Sequence, residues 1–179
     1  MPNEMLVKLG ACSEAVEWVG DKSPAVAWKT CKRGDWMLWL CGKLSGEPGG
    51  KGRKKLVLAA CACARLSLKY VRKGEKRPLV AIQTAEAWAK GKRGVTIEQV
   101  RTAAYAADAD YAAAAYAANA AYADDAAYAA AAYADAPATA AARRETLAKC
   151  ADIVRGFYPK PPQGQPTTKG GNGNGNRVG

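Results

Sequence analysis

The stretch KKLVLAACACARLSLKYVRKG, residues 54–74, decides how this chain folds. Leu56, Ala59, Ala60, Cys63, Leu66 and Tyr70 recur at three- and four-residue intervals, the spacing that lines one face of an α-helix. Lys and Arg bracket both ends, where they stay in water. No convincing strand alternation appears anywhere in the chain, so this segment reads as a central core helix and the fold class as all-α, a compact multi-helix domain.

Working back towards the N-terminus, Pro48 and four glycines between residues 45 and 52 separate this helix from the one before it. That earlier element, Gly34-Asp35-Trp36-Met37-Leu38-Trp39-Leu40, reads as a short, very apolar helix, with Asp35 placed to accept from the free N–H groups of its first turn. Ser13 to Val19 sets Ala15, Val16 and Val19 on one face with Ser13 as a cap, and Pro24 opens another helix. Towards the C-terminus, Arg77-Pro78-Leu79 opens a helix whose stripe is Ala81, Ile82, Ala85, Trp88 and Ala89, closed by Gly91 and Gly94. Thr96-Ile97-Glu98-Gln99 matches a capping box and starts a long helix. A last helix over about 138–157 groups Leu147, Cys150, Ile153 and Val154. Residues 1–158 therefore read as one helical domain. Residues 159–179, PKPPQGQPTTKGGNGNGNRVG, nearly lack aliphatic side chains and read as a disordered tail.

Between residues 103 and 142, 26 of 40 residues are Ala, and Tyr recurs at 105, 111, 116, 122, 128 and 133. Several of these spacings sum to eleven, which fits three helical turns along a nearly straight path. One helix from Ile97 to Ala136 would run roughly 60 Å, against a body of about 40 Å across. The Ala/Tyr-rich helix therefore either projects or is interrupted. Asp124-Asp125 is the best place for a break, because Asp competes with helical hydrogen bonding.

Composition narrows the chemistry. The chain has 179 residues, 27 Lys and Arg against 16 Asp and Glu, no His, and a net charge of +11. Without His there is no Ser-His-Asp or Cys-His catalytic set, and no nucleophile, base or cofactor loop stands out, so the chain reads as a non-enzyme with no cofactor. The six cysteines form no CxxC pair and read as small buried hydrophobes, with no metal site among them. The N-terminal residues lack the pattern of a secretory signal, and no apolar run reaches the ~18 residues of a membrane span, so a soluble cytoplasmic protein without membrane contact is expected. Charge is unevenly spread. Residues 103–142 carry five Asp and no base, between two basic flanks.

Two surfaces emerge as candidate binding sites. Trp28, Arg33, Trp36 and Trp39 concentrate three of the five tryptophans with an Arg, the residue types that anchor protein interfaces, although a core built with Trp18 and Trp88 accounts for them equally well. Asp108, Asp110, Tyr111, Tyr122, Asp124 and Asp125 form the second, a tyrosine and carboxylate face for a basic partner, with scaffold packing as its alternative. Neither Asp pair sits at a spacing suited to acid–base or metal work. The basic runs Arg53-Lys54-Lys55 and Lys69 to Arg77 would favour nucleic acid at low salt, but no nucleic-acid fold signature accompanies them.

The strings GACSEAVEW, AWKTCKRGDWMLWLCGKLSG, RKKLVLAACACARLSLKYV, RPLVAIQTAEAWAKG and LAKCADIVRGFYP, spread over about residues 9 to 159, resemble immunity proteins of bacteria and phages. The group is the one similar to immunity protein 5 of polymorphic toxin systems, and RGDWMLWL is the most specific part of the resemblance. It implies an all-helical, non-enzymatic intracellular protein that binds and neutralises a cognate toxin. A protein partner, a toxin occluded by one of the two surfaces above, is thus the first expectation. A basic nucleic-acid-associated phage or mobile-element protein is the alternative.

Overall fold

The computed structural model describes residues 2–47, 49–108 and 140–163. Every regular element among them is helical: α1 (Pro2–Lys8), α2 (Ser13–Val19), α3 (Pro24–Thr30), α4 (Gly34–Lys43), α5 (Lys51–Arg65), a 3-10 turn (Leu66–Tyr70), α6 (Arg77–Ala89), α7 (Ile97–Asp108) and α8 (Ala140–Phe157). The all-α reading therefore holds.

Helix α5 is the centre of the molecule. Leu56, Val57, Ala59, Ala60, Cys61, Cys63 and Ala64 are fully buried, which is a wider band than the single stripe expected from the sequence. Three neighbours explain the width: α6 packs along one side of α5, while α8 and α4 cover another. Ala and Cys make this possible, because small side chains let helix axes approach closely. The stripe also ends earlier than expected. After Arg65 the helix tightens into the 3-10 turn, and Tyr70 is half exposed.

Helix α6 begins at Arg77 with Pro78 in its first turn and buries Ala81, Ile82, Ala85, Trp88 and Ala89, the stripe read from the sequence. It is clamped to α5 by Arg65, whose Nε and Nη2 donate to Glu86 at 2.7 and 2.8 Å. Gly91 takes a φ of 72°, open to glycine without strain, and turns the chain towards α7. The capping box forms as expected: Thr96 N–H donates to Gln99 Oε1 at 2.9 Å and Gln99 N–H to Thr96 Oγ1 at 3.3 Å. Helix α7 then packs on α6 and buries Val100, Ala104 and Ala107. The continuation of the Ala/Tyr repeat beyond Asp108, with the break expected at Asp124-Asp125, lies outside the described residues, as does the chain after Gln163.

Helix α8 buries Leu147, and it packs on α4 and α5, where Cys150, Ala151 and Val154 join the core. Its approach to α4 is close enough that only a glycine fits there. A Cβ added at Gly34 would lie 2.4 Å from Cys150 Cβ and 2.7 Å from the Ala151 nitrogen. The glycine of the Arg33-Gly34-Asp35 tripeptide thus serves helix packing. Two caps differ from expectation. Helix α2 is preceded by Cys12 at its cap position, with Ser13 already helical. Helix α4 has Arg33 there, so Asp35 lies inside the helix.

Five of the six cysteines are buried and Cys12 is exposed. No helix among the described residues is long and apolar enough to cross a membrane. Nor, among them, does any group of three or more Cys, Asp or Glu side chains stand ready to hold a metal ion.

Candidate functional site

The short turns on either side of α3 bring four tryptophans to one place. Trp18 comes from the last turn of α2, Trp28 from α3, and Trp36 and Trp39 from α4. They line an apolar cavity of about 430 Å³ together with Leu6, Cys31, Met37 and Leu40. Helix α4 is two-sided as a result: Leu38 and Cys41 go to the core, while Trp36, Trp39 and Leu40 remain half-buried at the cavity.

Local chemistry sets the angle of α3. Ser23 accepts from the Val26 N–H at 3.3 Å and Pro24 occupies the first turn, so the helix starts abruptly. At its other end, Arg155 of α8 donates through Nη1 to the carbonyls of Trp28 at 3.2 Å and Cys31 at 2.8 Å. These are carbonyls that a helix leaves unpaired at its C-terminus. Trp28 is itself buried, and its indole Nε1 donates to the Tyr158 carbonyl at 2.8 Å. The cavity wall is therefore bolted to the end of α8.

Arg33 stands at the rim. Its Nε donates to Asp35 Oδ1 at 2.9 Å, its Nη2 to Asp35 Oδ2 at 2.7 Å, and its Nη1 to Glu14 at 3.2 Å. Asp35 is thus held by Arg33 and not used as a helix cap, because a charge-assisted, two-pronged pair outcompetes neutral amide donors. Fixed in this way, the guanidinium lies 4.2 Å from the Trp36 ring centre. Trp36 also meets Trp18, with ring centres 6.1 Å apart and planes tilted by 59°. Lys22 sits 4.7 Å from the Trp18 ring centre and donates to the Trp18 carbonyl; Lys43 sits 5.9 Å from that of Trp39. Three half-buried indoles thus carry a cation each.

The chain matches no family model, no curated protein and no solved structure. What the site does must be argued from its own residues. Burial pushes the Cys31 thiol at the cavity wall up, and burial likewise holds the nearby Tyr158 phenol well above its ordinary value, so both stay protonated at neutral pH. The arrangement offers flat apolar plates, indole donors and fixed positive charge.

Of the residues expected to bind a partner, Trp28, Arg33, Trp36 and Trp39 converge here. Trp28 forms a wall and is the most buried of the three tryptophans. Asp108 ends α7, a helix that supplies none of the described residues lining this cavity. Asp110, Tyr111, Tyr122, Asp124 and Asp125 lie outside the described residues. Sequence reasoning missed Arg155 and the segment after α8. Pro161, Pro162 and Gln163 line the cavity, and both prolines are half-buried, so the first residues of the segment expected to be disordered include two that rest against the helical body. The signal for it was present in Tyr158-Pro159-Lys160-Pro161-Pro162, where each proline restricts itself and the residue before it.

Proposed function

We propose that this protein is a non-enzymatic binding protein of the cytoplasm that captures a protein partner in the tryptophan groove, and that it serves as an immunity protein neutralising a cognate toxin by occlusion. One observation carries the reading: four of the five tryptophans converge on a single apolar groove, and three of them keep part of their surface in water. Aromatic side chains and Arg at the centre of a concave apolar surface are what dominate binding energy at protein interfaces. The resemblance to immunity proteins is strongest in RGDWMLWL, the segment that supplies Arg33, Trp36 and Trp39 to this groove.

The basic runs support nucleic-acid binding less well. Lys54 lies 5.7 Å from the Trp88 ring centre and Lys55 4.5 Å from that of Tyr158, while Arg77 pairs with Glu75. Three basic side chains of these runs are thus engaged within the fold. The test is to express the tagged full chain in its host, treat the lysate with nuclease, and identify what it retains at moderate salt. The expected result is one stoichiometric protein that is toxic alone, harmless when co-produced with this chain, and released by Trp36→Ala with Trp39→Ala. Retention of nucleic acid alone, with affinity falling steeply as salt rises, would overturn the reading.

A further inference from the structure

We infer that the tryptophan groove recognises proline-rich segments, and that the chain's own Pro161-Pro162 is a resident ligand which a partner's proline-rich segment displaces. The inference rests on the binding reading above and names the chemistry of the ligand.

Three observations lead to it. First, Pro161 and Pro162 line the same apolar cavity as Trp18, Trp36 and Trp39, so prolines and indoles face one space. Second, the Trp28 indole N–H donates at 2.8 Å to the carbonyl of Tyr158, the residue immediately before Pro159. Extended proline-rich strands leave their carbonyls unpaired, and aromatic grooves read them by ring stacking with N–H donors aimed at those carbonyls. Third, the resident segment borders open space. A second cavity of about 660 Å³ lies between it and residues Cys41, Ser45, Gly52 and Lys55, so space flanks it on two sides. Three of the five residues after Tyr158 are prolines, which have no N–H with which to tie themselves down. Its anchors are concentrated at Tyr158, through the Trp28 bond, the Lys55 ammonium over its ring and its own N–H bond to Val154 at 2.7 Å. Such a segment can peel from its far end while Tyr158 stays in place. A proline-rich strand arriving from a partner then loses little ordering entropy, because its backbone is already restricted.

The experiment uses the full chain and its Pro161→Gly/Pro162→Gly double variant, which leaves every helix untouched. The probe is a synthetic peptide of residues 158–163, with a control peptide in which each Pro is Ala. Binding is read by tryptophan fluorescence and calorimetry. The double variant should bind the proline peptide about tenfold more tightly than the parent, the factor expected where the resident segment covers the groove about nine-tenths of the time. Adding Trp36→Ala with Trp39→Ala, which removes two of the groove's indole plates, should weaken that binding several-fold. Equal affinity of parent and double variant, equal affinity for the alanine peptide, or no response at all would each overturn the inference. So would a dimer in the parent that the double variant abolishes, since the occupant would then be a second copy. The two readings separate cleanly: a captured toxin that the peptide fails to displace sinks this inference alone, whereas peptide binding without any toxin sinks the antidote role alone.

Discussion

Gly34 gives the sharpest test of the packing described above. A Cβ there would lie 2.4 Å from Cys150 Cβ, 2.7 Å from the Ala151 nitrogen and 2.8 Å from the Cys150 carbonyl carbon, about 1 Å inside the 3.4 Å at which ordinary contact begins. Two of the three obstacles are backbone, and both Cys150 and Ala151 are fully buried, so no side chain can swing aside. Gly34→Ala must therefore push α4 away from α8. Overpacking of this kind costs about 1–3 kcal/mol, and a backbone obstacle places it near the upper end. The better helix propensity of Ala returns at most about 1 kcal/mol, and less at the first residue of a helix. The net loss should be about 2 kcal/mol, which lowers Tm by about 4–8 °C for a chain of this size. Gly156→Ala is the control: it lies in α8 with nothing within 4 Å of the added carbon, so its Tm should stay level or rise. Thermal melts followed by far-UV circular dichroism read both. A Gly34→Ala protein melting within 1 °C of the parent, or above it, would show that α4 and α8 are not packed this closely.

Other predictions concern smaller features. Thr96→Ala removes one half of the capping box and should cost about 1 kcal/mol in urea denaturation; no loss would mean that α7 does not start there. Arg65 holds the Glu86 carboxyl below its ordinary value through their hydrogen bonds, so the stability it contributes is present above about pH 4.3 and lost as pH falls through the lower, folded-state value. The stability gap between the parent and Glu86→Gln should therefore be clear at pH 7 and narrow by pH 3, and a gap independent of pH would contradict the pair. In the native protein only Cys12 should react rapidly with a thiol reagent at pH 8, because burial pushes the Cys41 and Cys61 thiols up and closes access to them; all six should react in denaturant. Two or more fast thiols would mean that the α5 core is open.

How much of this was legible in the sequence depended on how local the cause was. The capping box at Thr96, the proline that opens α6 and the stripe from Ala81 to Ala89 are set by residues within a few positions of one another, and all appear as read. The width of the buried band on α5 was not legible, because it depends on how many helices pack around that segment, and Cys61 looks no different from Cys63 until α6 is in place. Asp35 illustrates a closer competition. Its position suited a helix cap, but Arg33 two residues away offered a stronger partner, and only the geometry decided between them. Arg155 carried no local signal, since the carbonyls it holds are 124 and 127 residues distant in the chain.

The same distinction bears on whether the tryptophans form core or interface. A core role predicts indoles buried as completely as Trp88, which is 8% exposed among the alanines of α6, or as Trp28 at 5%. Trp18, Trp36 and Trp39 depart from this: each remains half-buried, and Arg33 is fixed over Trp36 by two carboxylates. Cation stacking lets a large apolar surface stay in contact with water, since the charged head is hydrated on its outer side while its inner side covers the ring. A protein with no use for these rings would gain more by burying them. Four tryptophans on one apolar groove, three of them half-buried, with Pro161 and Pro162 along one side, fit the proposed surface for a ligand that arrives from outside.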